Sequence, residues 1–296
     1  MRFDILALFP LAASAVNIIS SNDDGWAEAN IRVLFDSLGA ADHSVVVSAP
    51  AENQSGKGSK EEEPTVLDKA CEFNSCPSGS PAVGFNASEP RLGYVNSYPV
   101  TSIQYGIDTS GPKFFNGAPD LAVTGPNVGS NIGLTVFISG TVGAATYAAK
   151  NDIPAIAFSG ASGSPTSWDS PRPDYSEVYA DLATNLTTHV VAAGKPYLPK
   201  DTWLNVNFGK VSEECASPAD FSFVLTRIHT AVPLVSGDDV TTCGDEARLP
   251  TELKVSLASG CYASVSVGVA DSKRDASAEV QGVVLKKLGN LLTCLP

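Results

Sequence analysis

The sequence predicts an α/β protein: a mostly parallel sheet with helices on both faces, then a β-rich C-terminal extension ending in a helix. Three observations carry this expectation. Over the first two thirds of the 296 residues, short apolar runs rich in Val, Ile and Ala alternate with amphipathic or small-residue stretches. Strands buried on both faces read as such continuous runs, and the stretches between them read as crossover helices. Beyond Lys195 the helical stretches give way to strand-like runs such as "DTWLNVNF" and "GCYASVSVGV". Finally, 43% hydrophobic and 17% charged residues, without an internal repeat or low-complexity tract, is a globular composition that supports a full core.

Residues 16–20 (VNIIS) form the first expected strand, 27–40 an amphipathic helix and 43–50 a second strand. In that helix Ile31, Leu34, Phe35 and Leu38 share one face, and Gly39 supplies the stop. Residues 51–64 are polar and rich in Gly and Ser, which makes a loop. Residues 71–90 are irregular, 92–95 a short strand and 101–108 a helix. The alternation resumes with a strand at 119–125, a loop at 126–138, a helix at 139–152, a strand at 153–160 and a helix at 173–194. Further strands fall at 201–208, 221–228 and 260–269, and the last helix over 271–292. The expected organisation is one domain over 16–296, with a core of 16–195 and an extension of 196–296.

Residues 1–15 carry one Arg, a short apolar stretch and the small-x-small ending Ala13–Ser14–Ala15. That is the layout of a secretory leader cleaved after Ala15, with a buried first strand as the alternative. No later segment reaches about 18 uninterrupted apolar residues, so no membrane span is expected. Six cysteines form an even set, which fits an oxidising, extracellular setting. With no CxxC pair and only 3 histidines, a zinc site is not expected. Cys71–Cys76 is the expected loop staple, with Cys215–Cys243 and Cys261–Cys294 as the remaining pairs. Sequons stand at Asn53, Asn86 and Asn185. Glycans are expected on Asn86 and Asn185, while Asn53 lies in a candidate catalytic loop that a glycan would obstruct. A net charge of −13 removes the main electrostatic term for binding a nucleic-acid polymer or an anionic membrane. A small anionic substrate needs a local positive charge, which a metal can supply.

In a doubly wound sheet, ligands bind beyond the carboxyl ends of the strands. Four polar clusters fall there: Asn22–Asp23–Asp24–Gly25, Asn53–Gln54–Ser55–Gly56, the loop from Gly125 to Asn131, and Ser139–Gly140–Thr141. Each alone reads as a cap, turn or loop. Together they offer carboxylate, hydroxyl and amide oxygens, which suit Mg2+, Mn2+ or Ca2+ rather than a thiolate metal. A hard cation would also neutralise the repulsion of two adjacent carboxylates. The "SGTVGAA" helix start offers free N–H groups and a positive dipole end suited to phosphate. Metal and phosphate cradle together indicate phosphoryl chemistry on a small phosphorylated substrate. A dinucleotide-dependent oxidoreductase would need a Gly-x-Gly-x-x-Gly turn after the first strand, and "SSNDDGWAEAN" lacks it. The remaining alternative is a secreted, metal-containing binding protein for a phosphorylated or sugar ligand, without turnover.

The ordered motifs "NDDG", "APAENQSGKGS", "PDLAVTGPNVGSNIG", "SGTVGAA" with "IPAIAFS", and "LPKDTWLNVNF" resemble the survival protein E (SurE-like) family of phosphatases and 5'-nucleotidases. "NDDGWAEANIR" and "APAENQSGKGS" are most similar to its secreted fungal acid phosphatase branch. The resemblance implies a Rossmann-like fold, a metal-dependent phosphomonoesterase, and a homodimer or higher oligomer formed through the C-terminal extension. It implies that Asp23, Asp24, Ser55 and Asn127 hold one divalent cation, with Asp23 and Asp24 at the centre of catalysis. It places Asn131, Ser139, Gly140 and Thr141 in the phosphate pocket. Bacterial members follow the Asp pair with His-Ala-Pro-Gly, where this chain has Trp26, Ala27, Glu28 and Ala29. Their Gly-Thr-Pro turn stands here as Ser97–Tyr98–Pro99. Both departures lie on the expected substrate side.

Overall fold

The structure, a computed structural model, describes residues 15–244 and 248–296. The expected leader, apart from Ala15, lies outside the described residues. The chain opens with β1 (Asn17–Ser21), α1 (Ala29–Ala40) and β2 (Ser44–Pro50), then a hairpin of β3 (Val83–Phe85) and β4 (Leu92–Val95). Next come α2 (Pro99–Tyr105), a π-turn at 106–110, and the short α3 (Gly111–Phe115). β5 (Leu121–Val128), α4 (Gly140–Lys150), β6 (Ala155–Gly160), α5 (Asp174–Ala192) and β7 (Thr202–Phe208) complete the alternating part. The C-terminal part supplies β8 (Ser222–Thr226), α6 (Glu252–Ser256), β9 (Tyr262–Val269), β10 (Arg274–Asp275), α7 (Ala278–Leu288) and β11 (Leu292–Thr293).

Among the described residues these strands form one sheet in the order β11-β8-β9-β7-β6-β5-β1-β2-β4-β3, with β10 on β9. Pairing is parallel except at β3–β4, β7–β9 and β9–β10. Period-two alternation explains how both faces are covered. Ile18, Ile156, Phe158, Leu204 and Val206 face α1, α5 and α7, whereas Ile19, Ala155, Ala157 and Trp203 face α2, α3 and α4. The second face is Ala-rich because α4 packs closely: Ala144, Ala145 and Ala148 are fully buried. Strand β1 pairs with β2 on one side and β5 on the other, so the chain reverses direction across the sheet between β1 and β5. That switch point is where an open α/β sheet leaves a crevice.

Several boundaries differ from the sequence expectation. Gly39 lies inside α1, which continues to Ala40 and ends where Asp42 takes a positive φ. Strand β5 continues three residues past Gly125. The register shifts between Thr124 and Asn127, then pairing resumes as Asn127↔Ser159 and Val128↔Gly160. Gly125 has φ +96°, and a Cβ there would stand 2.2 Å from Phe158 O, so this bulge accepts only glycine. The bulge turns an expected loop residue, Asn127, into a strand residue aimed at the rim. The final helix is shorter than expected, because residues 271–277 form a turn and β10 before α7 begins.

The Cys71–Cys76 disulfide is present. The other two expected pairings are replaced by Cys215–Cys261 and Cys243–Cys294. The sheet order accounts for the exchange. Antiparallel β7 and β9 place the end of β7 beside the start of β9, and parallel β11 lies on β8. Proximity in the sheet, rather than in sequence, sets the partners. Among the described residues no helix is long and apolar enough to cross a membrane.

Candidate active site

Asp23 and Asp24 lie beyond the end of β1, after one intervening residue, and are both buried. Their turn is shaped by Asn22, whose Nδ2 donates to Gly25 O at 3.0 Å while its Oδ1 accepts from Gly25 N at 3.2 Å. The two carboxylates are held from opposite sides. Asp23 Oδ2 accepts from Gly140 N at 2.9 Å, and its Oδ1 accepts from Thr141 Oγ1 at 2.6 Å. Asp24 Oδ2 accepts from Val128 N at 2.8 Å. The start of α4 thus holds one carboxylate and the end of β5 the other, over a hundred residues away in sequence.

Asn127 joins them. Its Nδ2 donates to Val128 O at 3.1 Å and Gly129 O at 2.5 Å, which fixes the amide with Oδ1 on the side of Thr141. Thr141 Oγ1 lies 3.5 Å from that Oδ1 and donates to Asp23. Ser55 approaches along the chain: Gln54 N donates to Asp23 O at 2.6 Å, and Ser55 beside it is exposed, its N–H donating to Asn53 Oδ1. The fold therefore brings Asp23, Asp24 and Asn127 together, with Ser55 next to the residue that bonds Asp23.

Burial pushes the Asp23 carboxyl above its usual range, against the bonds from Thr141 and Gly140 that favour the charged form. Asp24 is pushed well above it, by burial first and then by the neighbouring charge of Asp23. Two further carboxyls stand nearby: burial lifts Glu28 to about 8, and burial with Glu52 lifts Glu72 to about 7. Among the described residues no basic side chain forms an ion pair with either aspartate, and none is among the main influences on their acidity. Such a pair calls for positive charge from elsewhere. A carboxylate has about four lone-pair sites, and the hydrogen bonds above use two on Asp23 and one on Asp24. Two carboxylates, an amide oxygen of fixed orientation and an exposed hydroxyl fit a hard, oxygen-liganded cation. Among the described residues no cluster of three or more His, Cys, Asp or Glu is placed to hold a metal. The donor set thus depends on the amide and hydroxyl.

The expected phosphate-pocket residues all lie on this rim, and each has a protein partner. Ser139 Oγ caps α4 by accepting from Val142 N at 3.1 Å. Gly140 and Thr141 grip Asp23. Asn131 Nδ2 donates to Ser159 Oγ at 2.9 Å, its N donates to Asn207 Oδ1 at 2.8 Å, and its carbonyl accepts from Asn205 Nδ2 at 2.8 Å. Asn205 and Asn207 were missed by the sequence reading. The signal was there, since two Asn at period two on an otherwise apolar strand face one side of the sheet. Trp26 is buried against Tyr94, with ring centroids 5.1 Å apart, and Arg32 lies over it at 4.8 Å, so packing is its use. Tyr98 is half-buried ahead of α2.

Comparison with known proteins places the chain in a family. The chain matches the family model described as "Survival protein SurE" over residues 18–230. It is 32% identical to an acid phosphatase of Yarrowia lipolytica, over 87% of this chain and 80% of that protein. It is 27% identical to the 5'-nucleotidase SurE of Lawsonia intracellularis, over 67% of each. The crystal structure of the SurE protein from Aquifex aeolicus covers 91% of this chain and 98% of its own, with a TM-score of 0.61 at 21% identity, a likeness of fold. The matched stretch contains every rim loop from Asn22 to Thr141, and with the 32% relative it shows that this chain belongs to the survival protein SurE family.

Proposed function

We propose that this chain is a secreted phosphoric monoester hydrolase of acid phosphatase or 5'-nucleotidase type, in which Asp23, Asp24, Ser55 and Asn127 hold one divalent cation. The supporting observation is the convergence of Asp23, Asp24 and Asn127 at the switch point, without a basic partner among the described residues. When bound, the cation supplies Lewis acidity and positive charge at the phosphoryl oxygens. The chain's own residues hold the ligating groups still. Gly140 N and Thr141 Oγ1 orient Asp23, Val128 N orients Asp24, and the Val128 and Gly129 carbonyls lock the Asn127 amide. The positive end of α4 partly offsets the paired carboxylates. A phosphate-release screen over nucleotides, sugar phosphates and aryl phosphates, each with Mg2+, Mn2+ and Ca2+, tests the proposal. Release with at least one combination is expected. No release, with phosphate still bound, would support a binding protein instead.

Thr141→Val removes a buried hydroxyl that donates to Asp23 while conserving volume. The expected cost is about 1–3 kcal/mol of stability and about a tenfold fall in kcat/KM, with weaker inhibition by inorganic phosphate. Steady-state kinetics and a thermal melt decide it. Wild-type kinetics with only a lower Tm would make Thr141 purely structural.

Secretion is proposed with a mature N-terminus at Val16, glycans on Asn86 and Asn185, and assembly into a homodimer or larger. Exposed Asn185 on α5 and the exposed Leu234 and Val235 support the last two points. N-terminal sequencing, intact mass and light scattering of secreted protein check all three. An unglycosylated monomer starting at Met1 contradicts them.

A further inference from the structure

Glu252 lies beyond the stretch matched by the family model, yet it meets the candidate site's loop from behind. It opens α6 and is fully buried. Its backbone N donates to Arg227 O at 3.0 Å. Its carboxyl accepts from two directions: Oε1 from Asn205 Nδ2 at 2.7 Å, and Oε2 from Gly133 N at 3.2 Å. Asn205 Nδ2 also donates to Asn131 O at 2.8 Å, and Asn207 Nδ2 reaches the same oxygen at 3.3 Å. A second buried group of the extension acts on the same loop, since Lys273 Nζ donates to Val136 O at 3.2 Å. Loop residues 131, 133 and 136 are therefore tied to β7 or the C-terminal extension. This loop runs from the proposed cation ligand Asn127 to Ser139, which caps the helix that grips Asp23.

Burial lifts the Glu252 carboxyl to about 8. A buried carboxyl is costly, and an apolar side chain could fill its volume. What the apolar replacement would lose is specific: one of the two Asn205 amide N–H groups, the other being held by Asn131 O, and the Gly133 N–H would be left without an acceptor. Those two donors lead to the site loop. Packing within α6 uses Val255 instead, which is buried without a polar contact to the loop.

The geometry points to Glu252 as a positioning residue for phosphate-ester hydrolysis, which sets the backbone of residues 131–136 and so the wall of the anion pocket between Asn127 and α4. This rests on the hydrolase reading above.

Glu252→Ala and Val255→Ala in the full chain separate positioning from packing. Both truncate buried side chains of α6, but only Glu252 reaches the loop. Hydrogen exchange of residues 131–136, the KM and kcat for an aryl phosphate, and the inhibition constant of inorganic phosphate are measured well below each variant's Tm. Glu252→Ala is expected to raise exchange, KM and the phosphate inhibition constant about tenfold each, with a smaller change in kcat. Val255→Ala is expected to lower Tm while leaving all of these at wild-type values. Glu252→Gln keeps one acceptor and should fall between. Should Glu252→Ala not fold, Glu252→Gln decides, with a several-fold rise in KM expected. Wild-type KM and phosphate inhibition in the folded Glu252 variants, or equal changes in Val255→Ala, would overturn the assignment. A wild-type enzyme that releases no phosphate would refute the hydrolase reading instead, and the exchange measurement would still report whether Glu252 holds the loop.

Discussion

Asp23→Asn is expected to lower phosphate release by about 10³-fold or more while leaving the fold intact and, without metal, no less stable. The loss follows from removing one of two carboxylates that the proposed cation needs. A metal supplies several kcal/mol of transition-state stabilisation, and each 1.36 kcal/mol is tenfold in rate. The retention of fold follows from the local bonds. An Asn at this position can accept from Gly140 N with its oxygen and donate to Thr141 Oγ1 with its amide, so neither partner is orphaned. It also removes the buried Asp23 charge, which helps to raise the Asp24 carboxyl beside it. Stability and activity therefore move in different directions. Activity comes from an assay with added divalent ion, stability from denaturant unfolding in chelator. Wild-type turnover would contradict the assignment, and a collapsed fold would show that Asp23 is structural.

Gly140→Ala is expected to lower activity by about 100-fold and stability by about 1–3 kcal/mol, although Ala is the better helix former. Helix propensity favours Ala by about 1 kcal/mol. Contact opposes it more strongly: a Cβ on Gly140 would stand 2.7 Å from both Asp23 Cβ and Pro99 Cγ. Neither neighbour is the far end of a flexible chain, so α4 must back away, lengthening the bonds from Gly140 N and Thr141 Oγ1 to Asp23. Overpacking of this kind costs about 1–3 kcal/mol, and a misplacement of about 1 Å at a reacting centre can cost about 100-fold. Gly39→Ala provides the comparison. Gly39 lies in α1 with nothing within 4 Å of the new Cβ, so a gain of about 0.5–1 kcal/mol and unchanged kinetics are expected there. Denaturant unfolding of both variants beside wild type measures the contrast, and a Gly140→Ala enzyme with full activity would show that Asp23 tolerates release from α4.

The alternating core was legible because doubly buried strands leave near-continuous apolar runs, as in Val45–Val46–Val47 of β2 and Ala155–Ile156–Ala157–Phe158 of β6. Helix α1 was legible because Ile31, Leu34 and Leu38 recur on one face, all three fully buried. What failed depended on geometry that no local pattern carries. Gly125–Pro126 reads as the end of a strand, and only the bulge shows that β5 continues to Asn127. The hairpin strand β3 is three residues long amid Gly, Pro and Ser, too short to show alternation. The Asp pair and the rim loops were visible as polar clusters after strands. The roles of Gly140 and Thr141 were less so. A helix N-terminus that attracts anions looks the same in sequence whether the anion is a ligand or, as here, the protein's own Asp23. Asn205 and Asn207 are legible only as two Asn at period two on β7, and Glu252 is not legible at all, because the buried network joins it to them from α6 in the extension and sequence spacing does not relate the two elements.

The most direct test of the central claim is titration of a divalent ion into chelator-treated, metal-free enzyme, with metal binding and phosphate release followed together. One cation bound per chain, with release rising from near zero in proportion to its binding, is the predicted result. Full phosphate release from the metal-free enzyme would contradict it.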